Sequence, residues 1–119
     1  MLLNEHWLKT SEPFNLDKYN VIARFCWDVY SHGGTLILVN SNVCNVYDFR
    51  PIDNFNNLCM EKEFEFSLVY SKILNLYVVC LYRSPNSNCD IFFVSLERLL
   101  GYLRTGASVI IAGDFNINF

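Results

Sequence analysis

An α/β domain is predicted, a layered α+β sandwich whose mixed sheet takes in at least one crossover helix. Three observations predict it. Short β-branched and aromatic runs, separated by turn residues, fill the first two thirds of the chain. One amphipathic helical stretch follows, over residues 90–104. Immediately after it a last apolar run, Ser108-Val109-Ile110-Ile111-Ala112, requires the helix to carry the chain back across the sheet.

Taken in order, residues 1–8 form a short apolar segment interrupted by Glu5 and His6, and residues 9–20, with Ser11, Pro13, Asn15 and Asp17, read as a loop. Residues 21–26 make a short strand. His32-Gly33-Gly34 turns the chain into Thr35-Leu36-Ile37-Leu38-Val39, a strand by its β-branched content. Residues 41–58, rich in Asn and Asp, read as a long irregular connection. Over residues 63–70 the pattern alternates, with Phe64, Phe66 and Leu68 on one face and Glu65 and Ser67 on the other, a strand with one wet side. A turn near Ser71-Lys72 leads into residues 74–82, apolar throughout enough to be a central strand covered on both faces. In the helix, Phe92, Leu96, Leu99, Leu100 and Leu103 share a face. Asn88 or Asp90 caps its start, Arg104 complements the negative end of its dipole and Gly106 stops it.

The 119 residues allow one domain, spanning 1–119. Hydrophobic residues make up 52% and charged residues 18%, a surplus of apolar side chains for so small a domain. The apolar run near Leu76 is far short of the ~20 residues of a membrane span, and no signal-peptide core follows Met1. An intracellular chain, nuclear or cytoplasmic and not secreted, is therefore expected. A net charge of −3 with scattered basic residues argues against a protein that coats nucleic acid through a basic field. Cys26, Cys44, Cys59, Cys80 and Cys89 are odd in number and irregularly spaced, without a C-x-x-C pair, so they read as reduced, buried apolar residues.

Three segments carry chemistry, each at the carboxyl end of a strand, where open sheets gather ligands. They are Asn4-Glu5-His6-Trp7-Leu8, then Leu81-Tyr82-Arg83-Ser84-Pro85-Asn86, then Gly113-Asp114-Phe115-Asn116. The last places a carboxylate and an amide two residues apart, so that both can leave one face of a strand. That pair suits metal-bound phosphate chemistry.

In this order, with Tyr19, Arg24 and Gly33-Gly34 between them, the segments resemble the endonuclease/exonuclease/phosphatase superfamily. Within it they are most similar to the endonuclease domains of non-long-terminal-repeat retrotransposons, and the resemblance runs the length of the chain. It implies a Mg²⁺- or Mn²⁺-dependent hydrolase acting on DNA phosphodiesters. Glu5 would hold the metal, Tyr82 would place its hydroxyl near the scissile phosphate, and Asp114 would align or deprotonate the attacking water. Asn116 would bind phosphate or steady the metal site, and Arg83 would add a phosphate contact. The family also has an earlier strand carrying an Asn and later strands carrying an Asp and an Asp-His pair. This sequence supplies neither, and His6 and His32 read as loop or strand-end residues rather than the missing base. A partial domain, inactive or weak alone, is expected. The alternatives are a non-catalytic interaction module that pairs its sheet edge with another chain, or a phosphatase on the same fold.

Overall fold

The computed structural model describes residues 1–4, 15–25, 34–60 and 63–116. Expectations that rest on Glu5, His6, Trp7, Leu8, Cys26, His32 and Gly33 lie outside the described residues. Along the chain come β1 (Leu2–Asn4), β2 (Tyr19–Phe25), β3 (Thr35–Asn40), α1 (Ser41–Tyr47) and β4 (Phe49–Pro51). A single 3₁₀ turn follows, then β5 (Glu65–Ser71), β6 (Leu76–Tyr82), α2 (Cys89–Tyr102) and β7 (Ser108–Asp114).

The described strands form two sheets, ordered β1-β3-β2 and β4-β5-β6-β7. The first is antiparallel. The second is mixed, because α2 returns the chain so that β7 runs parallel to β6, with Leu76 opposite Ser108 and Tyr82 opposite Asp114. The sheets stack face to face, and α2 covers the far side of the four-stranded sheet.

Alternation along β5 and β6 assigns the two cores. Phe64, Phe66, Leu68, Tyr77, Val79 and Leu81 meet Phe92, Leu99 and Leu103 of the helix segment. Phe64 lies 5.6 Å from Phe92, edge to face. Each such fully buried aromatic contributes roughly 1.5–3 kcal/mol by leaving water. On the other face, Val69 and Cys80 pack with Ile37 of β3, joined by Leu2, Ile22, Val39 and Val78.

The helix begins where a cap was expected. The Asn88 side-chain oxygen accepts from the amides of Asp90, at 2.8 Å, and Ile91, at 3.2 Å. Arg104, just past the end of α2, gives its amide to the Tyr77 hydroxyl.

Two readings of the sequence are corrected. Residues 41–58 are not irregular throughout: Asn40 caps α1 by accepting from the amide of Asn42, and β4 pairs with β5. Asn and Asp enrichment marks caps as well as loops, which is why composition hid a helix there. Nor has β5 a wet side. Glu65 and Ser67 face the three-stranded sheet, where the Gly34 amide donates to Glu65 Oε1 at 2.8 Å. The hydroxyls of Ser67 and Thr35 lie 2.6 Å apart. Polar alternation was real, but the polar face is buried and satisfied across the layers.

Among the described strands β7 is an edge, and Val109, Ile110 and Ile111 are exposed on it, Ile110 by 51%. No described helix is long and apolar enough to cross a membrane.

Candidate active site at the shared strand ends

Parallel pairing fixes what β6 and β7 present together. Partners in register share a face, so Glu65, Tyr82 and Asp114 form one row across β5, β6 and β7. The strands can close this tightly because of Gly113. It sits opposite Leu81 at φ 153°, and a Cβ added there would fall 1.9 Å from the Leu81 carbonyl oxygen. The glycine of Gly113-Asp114-Phe115-Asn116 is thus a packing requirement as well as a turn residue.

Beyond the last strand pair, the Arg83 amide donates to the Asp114 carbonyl at 3.0 Å, extending the ladder by one step. Phe115 then turns inward to Phe92, ring centres 6.1 Å apart. With Phe115 anchored, Asn116 takes a left-handed backbone at φ 47°, and its amide donates to Asp114 Oδ1 at 3.2 Å. Asn116 Nδ2 donates to the Arg83 carbonyl at 2.6 Å. In return Arg83 Nη1 reaches the Asn116 carbonyl at 3.3 Å, and also the Ser84 carbonyl at 3.1 Å.

These contacts bring together four of the five residues singled out in the sequence. Asp114 is exposed. Tyr82 is only 3% exposed, on the inter-sheet side. Arg83 is 4% exposed and turned onto the protein's own acceptors, so it braces the loop. Glu5 lies outside the described residues. Asn4, the last residue of β1, accepts from the Cys80 thiol through its Oδ1 at 3.1 Å.

Glu65 was overlooked as a site-row residue. A carboxylate 0% exposed between Phe64 and Phe66 and bonded to the Gly34 amide belongs to a polar layer between the sheets. The one signal in the sequence was the glycine pair ahead of Thr35, whose free amide needs an acceptor. Burial also sets the local thiols: it pushes Cys59 up to about 12 and Cys80 up to about 11, so both stay protonated at neutral pH.

The cleft beside these strand ends is about 290 Å³ and lined by Glu63, Ser84, Asn86 and Ser87. A wider apolar cleft, about 370 Å³, opens between the sheets at their opposite end, by Leu2, Val39 and Phe49. The larger cleft is lined mainly by apolar side chains, with Tyr19 and Asn40 among them, and none of Tyr82, Arg83, Asp114 and Asn116 lines either cleft. Among the described residues no three His, Cys, Asp or Glu side chains gather as a metal cage. Mg²⁺ needs only one or two carboxylates beside water and phosphate oxygens. At the strand end the exposed carboxylate among the described residues is Asp114. No family model, curated protein or solved structure matches the chain.

Proposed function

We propose that the ends of β1, β6 and β7 form a phosphodiester-hydrolysing site of the retrotransposon endonuclease type, acting on DNA with Mg²⁺ or Mn²⁺. The observation that supports it is the register of β6 and β7, which sets Tyr82 beside Asp114 while Asn116 is tied to both Asp114 and Arg83.

In this reading Glu5 holds the divalent cation. When bound, the cation neutralises charge building on the phosphate during in-line displacement. Asp114 accepts a hydrogen bond from the attacking water and fixes its direction. Asn116 steadies that carboxylate through its backbone amide, and Arg83 holds the loop in place. Tyr82 supplies a hydroxyl at the inner wall. The family's Asp-His base has no counterpart in this sequence, and loss of a positioned acid–base group costs roughly 10²–10⁴-fold.

Supercoiled plasmid with Mg²⁺ or Mn²⁺ tests the reading. The 119-residue chain should nick no faster than its Asp114→Ala variant. Fusion to a related carboxyl-terminal half bearing the Asp-His pair should restore nicking, and Glu5→Ala or Asp114→Ala should abolish it. A folded fusion that does not cut DNA overturns the nuclease assignment; cleavage of a small phosphoester by that fusion would move it to a phosphatase. A non-catalytic strand-pairing module is the second reading, favoured by the exposed apolar edge at β7.

A further inference from the structure

Cys89 opens α2, half-buried, and its sulfur accepts a hydrogen bond from Arg83 Nη2 at 2.6 Å. Arg83 is a buried cation whose surroundings are unusual. Among the described residues no carboxylate pairs with its guanidinium, and its Nε is buried without a hydrogen-bond partner. A buried donor left unmade costs free energy, so this donor marks a place for one more acceptor atom.

Few acceptors can reach it. The first free amides of α2 are already occupied, those of Asp90 and Ile91 by the Asn88 side chain. Glu63 Oε2 takes the Asn88 amide at 3.2 Å, placing a carboxylate where a free phosphate would have to enter. Asp90 adds a second negative charge beside Cys89. A separate anion is therefore disfavoured. An oxygen bonded to the Cys89 sulfur itself is not, because the guanidinium is rigid and planar, and its Nε sits next to the Nη2 that already touches the sulfur.

We propose that Cys89 is a modification site: a thiol oxidised reversibly by hydroperoxides to a sulfenic acid that Arg83 holds. The sulfur attacks one peroxide oxygen; the S–O bond forms as the O–O bond breaks. The thiol proton passes to the departing alkoxide, giving an alcohol, or water from hydrogen peroxide. Sulfur loses two electrons and the peroxide gains them. A small thiol then condenses with the sulfenic acid, releasing water and leaving a mixed disulfide, and a second thiol restores Cys89 as a free thiol. This site goes beyond the hydrolytic reading and does not depend on it.

Cys44 is the internal standard: it is also half-buried, but its thiol meets only the Phe49 carbonyl, at 3.8 Å. The folded chain is treated with limiting hydrogen peroxide and dimedone, and each cysteine is read by peptide mass spectrometry. Cys89 should be trapped on the order of tenfold faster than Cys44, and the two should become equal in denaturing urea. Arg83→Lys keeps the charge but removes Nε, and should bring Cys89 down towards the Cys44 rate. Equal rates in the folded chain overturn the proposal, as does a Cys89 preference that survives in urea. If Arg83→Lys fails to fold, the comparison of folded with urea-treated wild type decides alone.

Discussion

Replacing Gly113 by alanine is the most discriminating perturbation of the strand end. The new Cβ would fall 1.9 Å from the Leu81 carbonyl oxygen and 2.8 Å from its carbon, both backbone atoms that no rotamer change can move. The φ of 153° adds strain for any residue with a side chain. Backbone strain of this sort costs about 1–3 kcal/mol, and forcing an extra methyl into packed structure a further ~1–3 kcal/mol. A combined loss of about 3 kcal/mol would lower the melting temperature by roughly 10–20 °C for a domain of this size. Relief requires β7 to pull away from β6, which uncouples Asp114 from Tyr82. Thermal unfolding followed by circular dichroism checks the magnitude. Gly101→Ala is the control: its Cβ would meet nothing within 4 Å and it lies in α2, where alanine should stabilise by about 0.5 kcal/mol. A Gly113→Ala protein melting within 2–3 °C of wild type, roughly 1 kcal/mol or less, would refute the close-approach argument.

Two further outcomes follow from burial. Glu65→Ala should cost about 2–3 kcal/mol, because the Gly34 amide loses its acceptor inside the sandwich. Asp114→Ala, at an exposed position, should stay within ~0.5 kcal/mol by urea unfolding; equal losses would contradict the contrast between a buried, bonded Glu65 and an exposed Asp114. Alkaline stability follows from the raised thiols. The unfolded chain ionises them first, near 8.5, so stability is complete below about pH 8.5 and is lost as pH climbs through about 11 for Cys80 and about 12 for Cys59. The slope in that window is about 1.4 kcal/mol per pH unit for each thiol. Urea midpoints between pH 8 and 10.5 should fall more gently for Cys80→Ala than for wild type, and parallel curves would dismiss the linkage.

Much of the frame was legible because the sequence states it locally. The helix period around Phe92 and Leu99, the Asn88 cap and the unbroken apolar run of β6 each carry their meaning within one element. The parallel return into β7 followed from the helix alone. What was not legible depends on partners remote in sequence. β4 is three residues long and exists only because β5, some twenty positions later, offers it a ladder. Glu65 and Ser67 look solvated until Gly34 and Thr35, thirty-odd positions earlier, are seen to satisfy them. Tyr82 and Asp114 stood out in the sequence as candidate side-chain types, but their pairing is a matter of register. Arg83 was expected to face a ligand, and nothing in the neighbouring residues announced that Asn116, Ser84 and Cys89 would claim it.

The polar contacts between the two sheets have a further consequence. An apolar interface such as Ile37 on Val69 and Cys80 is greasy, and one layer could glide over the other at little cost. The contacts of Gly34 with Glu65, Thr35 with Ser67 and Asn4 with Cys80 act instead as teeth. Sliding by a single position would disengage all three, each at the expense of a buried group. Alignment of the layers is thereby set by these teeth as well as by the packing of the hydrophobic residues between them.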